Sequence, residues 1–173
     1  MRMLIVLLAL LTAPVSSFAQ ELKDDVLVYG QVKRLADRAP LEGAWIVVQR
    51  DGVKVAQLVT DSAGRYEIHL DYDAVYRLYY MQGGMVTKNV TIDLNGIPVP
   101  ERYGGHGMSI DVTLFQAYPC LDVSALEEPI GKARYEPADS TVSWDIGYTE
   151  SVRSRIADAM RRHDSLRVAG GCP

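Results

Sequence analysis

The sequence contains only two cysteines, two phenylalanines and three histidines in 173 residues. Two cysteines exclude a dense disulfide framework or a thiolate metal cluster, and leave room for one bridge at most. His69, His106 and His163 have no local motif partners. Gly-x-Ser-x-Gly, His-Glu-x-x-His and a phosphate-binding loop are all missing. Hydrolysis needs a nucleophile, a base and an orienting group, and no such constellation is legible, so the expectation is a chain that is not an enzyme. A basic surplus is also lacking: 18 Lys and Arg stand against 22 Asp and Glu, a net charge of −4. That balance excludes a general nucleic-acid binder. Beyond the first residues, no apolar run is long enough for a transmembrane helix.

The N-terminal stretch has a distinct character. Arg2 precedes an apolar run over residues 3–11, and small residues follow, ending in Ser17-Phe18-Ala19. A positive start, a short apolar run and a small-x-small site predict a secretory signal peptide over residues 1–19, cut after Ala19. No cysteine sits at that point, which excludes a lipid anchor there. The expected location is the periplasm, the cell surface or the medium. Export would allow Cys120 and Cys172 to form a disulfide. The alternative is two separate thiols, one beside a frayed end.

The body of the chain reads as seven strands between residues 26 and 115. The fixed point is Thr60-Asp61-Ser62-Ala63-Gly64-Arg65-Tyr66, flanked by strands over 53–60 and 66–70. Asp61 can bond backbone two residues on, and Gly64 can take a positive φ. Val26, Val28 and Val32 share one side of the first strand, and residues 44–50 form a nearly continuous apolar run. Asp51-Gly52 is the strongest hairpin signal. Strands over 75–81 and 85–93 follow, and then Met108, Ile110, Val112 and Leu114 alternate with polar residues. Short, regularly spaced strands predict an all-β, seven-stranded antiparallel β-sandwich over residues 20–115.

Two stretches depart from that pattern. The loop over 94–107 holds two prolines and four glycines, and Arg102, Tyr103 and His106 are its candidate binding residues. Asp71-Tyr72-Asp73 reads as a solvated turn rather than a calcium site, so no metal and no cofactor is expected. Residues 116–150 are acidic and turn-rich and read as an extended linker. Residues 151–168 read as a basic amphipathic helix capped by Thr149 or Ser151, with Val152, Ile156, Ala159 or Met160, His163 and Leu166 forming its stripe.

The series Gly30-x-Val32, Pro40-Leu41-x-Gly43-Ala44 and Thr60-Asp61-x-x-Gly64-x-Tyr66 resembles the carboxypeptidase regulatory-like domain. The resemblance covers roughly residues 26–115. It implies a transthyretin-like (prealbumin-like) sandwich without catalytic residues of its own. Together with the leader, the chain resembles small exported proteins of Bacteroidetes-type envelopes. The expected role is structural or protein-binding, with an unidentified envelope protein as partner. The alternative is a small-ligand or glycan binder using exposed tyrosines such as Tyr79.

Overall fold

The computed structural model describes residues 24–172. The expected signal peptide over residues 1–19 lies outside the described residues. Ten strands and one long helix follow in order: β1 (Val26–Arg34), β2 (Trp45–Arg50), β3 (Val53–Val59), β4 (Arg65–Leu70), β5 (Val75–Met81), β6 (Lys88–Asp93), β7 (His106–Ser109), β8 (Val112–Leu114), β9 (Lys132–Glu136), β10 (Thr141–Trp144) and α1 (Ile146–Ala169). Two sheets face each other, as expected for a β-sandwich. The smaller has β1 between β4 on one edge and β7 with β8 on the other. The larger runs β10-β9-β6-β5-β2-β3.

Alternation decides which side chains enter the core. Val26, Val28 and Val32 of β1 are fully buried, as are Ile46 and Val48 of β2, Leu78 and Tyr80 of β5, and Val90 and Ile92 of β6. Burying each such side chain stabilises the fold by about 2 kcal/mol. At the β2–β3 hairpin, Asp51 and Gly52 both have positive φ, 49° and 82°, the backbone of a type I′ turn.

The motif residues tie the sheets' connections into one knot. Thr60 is buried; its Oγ1 accepts from Ala44 N at 2.9 Å and donates to Leu41 O at 2.5 Å. Asp61 Oδ1 accepts from Ala63 N and Arg65 N at 2.9 and 2.8 Å. Gly64 has φ +70°, and a Cβ there would lie 2.5 Å from Val32 O. That close approach lets Val32 N donate to Gly64 O at 2.8 Å.

The structure differs from the sequence-based expectation in four places, the last at the start of the helix. The seventh strand is split into β7 and β8. Between them Asp111 Oδ1 accepts from Gln31 N at 2.9 Å, so a side chain replaces the backbone ladder for one step. β7 and β8 run parallel to β1, and β9 runs parallel to β6, where the pattern suggested antiparallel pairing throughout. The third difference is in the expected extended linker over 116–150, which contains β9 and β10. Their buried Ala133, Tyr135 and Val142 extend the core past β6.

The helix also starts earlier than expected. Asp145, not Thr149 or Ser151, is the N-cap, its carboxylate accepting from Tyr148 N at 2.9 Å. Gly170 ends the helix in the left-handed region. Val152, Ala159 and His163 are buried on its inner stripe, and Ile156, Met160 and Leu166 pack against a second cluster of Val86, Phe115, Leu121 and Leu126. Cys120 and Cys172 are joined by a disulfide, which ties the segment past α1 back to the exit of the sandwich.

Candidate functional site

The 94–107 loop closes one end of the sandwich and is held at many points. Leu94 and Ile97 are buried as apolar anchors. A single 3₁₀ turn, Val99–Glu101, brings Arg102 back towards the body. The Arg102 guanidinium donates two parallel bonds to Asp73, at 2.8 Å to Oδ2 and 2.7 Å to Oδ1. Its Nε donates to Ile97 O at 2.9 Å, and its plane lies 5.0 Å from the Tyr72 ring centroid. Such a fork-to-fork pair with an aromatic floor fixes geometry as well as charge.

His106 opens β7. Its backbone N donates to Asp25 O at 3.0 Å. Its Nδ1 lies 3.0 Å from Tyr72 Oη, and Tyr72 Oη donates to Asp25 O at 3.2 Å. A phenol has one proton, so with that proton on Asp25 O the imidazole Nδ1–H donates to Tyr72. Burial first, then the charges of Asp24 and Asp25, hold the Tyr72 hydroxyl above its ordinary pKa, which keeps it neutral. Across β1, on β4, His69 Nδ1 sits 3.0 and 3.1 Å from the two oxygens of Asp25, and its Nε2 sits 3.4 Å from Glu67 Oε1. Tyr135 of β9 donates to Glu101 and stacks edgewise on His106 at 6.2 Å.

The three expected binding residues therefore part company. Arg102 and His106 share the Tyr72 ring and brace the loop from within. Tyr103 is 77 % exposed. Two of the loop's backbone donors are also engaged, Gly105 N on Arg102 O and His106 N on Asp25 O. Asp71 and Asp73 each face an arginine, Arg50 and Arg102, rather than a shared cation site. Among the described residues no group of three or more His, Cys, Asp or Glu could hold a metal ion.

Sequence reasoning missed Asp25, Tyr72 and Tyr135, whose roles arise from elements distant in the chain. Tyr79, the expected sheet-face tyrosine, is half-buried beside Arg77, whose guanidinium lies 5.2 Å from its ring. It borders a groove of about 510 Å³ between β5, β6 and residues 117–127.

These two sheets define an all-β sandwich. No protein-family model and no curated protein matches the chain. Solved structures do resemble it. The TIE protein of Bacillus anthracis is 16 % identical over 54 % of this chain and 17 % of its own, with a TM-score of 0.43. A chlorocatechol 1,2-dioxygenase from Pseudomonas putida is 15 % identical over 54 % of this chain and 62 % of its own, with a TM-score of 0.41. The group B streptococcus pilus 2b backbone protein is 12 % identical over 53 % of this chain and 41 % of its own, with a TM-score of 0.38. The chain thus spans less than two thirds of the length of each. These are likenesses of fold alone. They still correct one expectation: dioxygenases share the fold with binding and structural proteins, so the reading of this chain as not an enzyme does not stand. No helix among the described residues is long and apolar enough to cross a membrane.

Proposed function

We infer that this chain is an exported β-sandwich module that binds a protein partner in the cell envelope. The observation that carries this reading is an apolar stripe across the outer face of the larger sheet. Trp45 is in register with Met81 on β5 and Val59 on β3, and the three are 50, 40 and 57 % exposed. Val53 and Val55 add further exposed apolar surface along β3. β3 ends the sheet, so one row of its backbone groups faces no strand among the described residues. An apolar stripe beside an open edge suits an extended segment of a partner, added as a further strand.

Three further features support the reading. The ordered motifs at 30–32, 40–44 and 60–66 favour membership of the carboxypeptidase regulatory-like domains. The leader-like residues 1–19 and the disulfide favour export to an oxidising compartment. The braced 94–107 loop presents Tyr103 as a second contact, with Arg102 and His106 as its supports. The test is a photo-crosslinking residue placed at Val55, with Asp139 in the exposed β9–β10 turn as the control position. The expected result is one discrete protein adduct in envelope preparations from Val55, weakened by Trp45→Ser. Equal labelling from both positions, or none from Val55, would refute the reading.

A further inference from the structure

A cavity of about 410 Å³ lies where four chain segments meet: the connection after β1, the β5–β6 turn, the exit from β8 and the last turns of α1. Arg34, Met85, Phe115, His163 and Arg167 are among the residues that line it. Its floor is apolar and aromatic, and its rim is cationic. Among the described residues the Arg34 side chain pairs only with Asp37, at 3.1 Å, and Arg167 with Asp164, at 3.7 Å; all four side chains are exposed. Exposed pairs three residues apart are weak, so both guanidiniums can exchange these partners for a better one.

Two buried groups beside the cavity are unusual. Lys88 has the same parity on β6 as Val90 and Ile92, so it projects towards the core, and it is only 4 % exposed. Its Nζ lies 5.1 Å from the Phe115 ring centroid and makes no ion pair or hydrogen bond among the described residues. An ammonium largely withdrawn from water beside an aromatic face, with the like charge of Arg38 also acting on it, is costly. His163, 2 % exposed, packs its ring 4.7 Å from Phe115. Its Nδ1 is buried without a hydrogen-bond partner, 3.5 Å from Asp164 Oδ1.

We propose that this cavity binds a small organic monoanion, a carboxylate with an apolar body. Arg34 and Arg167 recognise the carboxylate, and Phe115 and Met85 receive the apolar part. Lys88, across the Phe115 ring, supplies a positive charge that pairs with no acidic group among the described residues. Burial holds its pKa at about 8, and an anion nearby favours its charged form. Inorganic phosphate matches the guanidiniums but has nothing to offer Phe115, whereas a neutral aromatic alcohol has the reverse defect. Because the lining comes from α1 as well as the sandwich, occupancy also clamps the helix to the sheets. None of this depends on the outer face of the larger sheet.

The experiment is a calorimetric titration of the purified, disulfide-intact chain with benzoate, hexanoate, inorganic phosphate and benzyl alcohol. Saturable binding is expected for benzoate and hexanoate, and none for the other two. The double variant Arg34→Gln with Arg167→Gln should weaken benzoate by about tenfold or more, the worth of a charge-assisted pair. A second measurement uses the unmodified protein: the His163 ring signals in NMR should move on adding benzoate, and those of His69 should not. Failure of both carboxylates to bind would overturn the proposal, as would phosphate binding as well as benzoate. Unchanged affinity in the double variant, or a static His163 during a binding titration, would overturn it equally.

Discussion

The molecule has two packed regions, and they treat buried polar groups differently. In and around the sandwich, the buried polar side chains of Thr60, Asn89, Tyr66 and Tyr80 find partners. Thr60 bonds Ala44 and Leu41, and Asn89 accepts from Arg77 Nε and donates to carbonyls of residues 126–128. Tyr66 and Tyr80 bond each other. Around Phe115, His163 keeps a buried Nδ1 without a hydrogen-bond partner, and Lys88 makes no ion pair or hydrogen bond among the described residues. A group left unpaired in a low dielectric is expensive, whereas a satisfied network makes the core specific. The sandwich is thus complete as built, and the region under the helix is the one poised to gain from a ligand.

The largest test of the sandwich half is Gly30→Ala. An added Cβ would sit 2.1 Å from Ile110 O, and the clash is with backbone, which cannot rotate away. β1 would have to part from the β7–β8 edge, where Ile110 N donates to Tyr29 O. The expected loss is on the order of 5 kcal/mol in urea unfolding, among the large values for a single substitution. A loss below about 1 kcal/mol would mean that this edge is loose and the sandwich is not the rigid half.

Removing the disulfide with Cys120→Ser and Cys172→Ser probes the other half. The bridge spans 52 residues, worth about 4 kcal/mol in the chain-entropy account. The cost should fall mainly on α1 and the segment before it, because β1 and its neighbours are held by their own core. Hydrogen exchange should quicken more in the last turns of α1 than in β1. An equal change in both would join the two regions into one cooperative unit.

The contrast also governs what could be read from the residues. The sandwich was legible because alternation and turn chemistry are local: Val26, Val28 and Val32 face inward, Asp51-Gly52 turns, and Asp61 and Gly64 sit where the motif places them. β9 and β10 were not, because five- and four-residue strands in an acidic stretch carry little pattern, and pairing across to β6 is a tertiary matter. The helix stripe was readable, but its start was not, since Asp145 shares the cap preference with Thr149 and Ser151. In the loop, Arg102, Tyr103 and His106 were singled out by composition. Which of them braces and which presents depended on Tyr72 and Asp73, about thirty residues away. Lys88 had a visible sign, a lysine on the inward parity of an apolar strand.

Lys88→Met should sharpen the difference by removing the charge that the second region carries. Burial lowers the Lys88 pKa from 10.5 to about 8. Below the folded value both states are charged, and the folded state bears the full penalty. As pH rises from about 8 towards 10.5 the unfolded chain still holds the proton that the folded one has released, so stability climbs. The substitution should therefore stabilise by about 3 kcal/mol at neutral pH and flatten that climb. Unfolding midpoints at about pH 7 and about pH 9.5 check it, the upper limit staying below the tyrosine range. Tyr66 and Tyr80 have raised pKa values from burial, so their stabilisation holds up to pH 10 and is lost above it. A wild-type midpoint that does not rise over this window would show that Lys88 is solvated after all.

The smallest effect discriminates within the sandwich itself. Tyr66 Oη donates to Ile110 O at 2.7 Å, so in the 2.8 Å contact between the two phenols Tyr80 must be the donor. The chain of bonds has a direction, and the two tyrosines are not equivalent. Tyr66→Phe leaves both the Tyr80 hydroxyl and the Ile110 carbonyl without a partner, two buried groups unsatisfied at once. Tyr80→Phe takes away one donor and leaves Tyr66 still bonded to Ile110. The first should cost about 2 kcal/mol and the second about 1 kcal/mol, both measured by urea unfolding. Equal costs would mean that the proton arrangement is reversed or shared. The region between the sheets would then tolerate unpaired groups much as the region beneath the helix does.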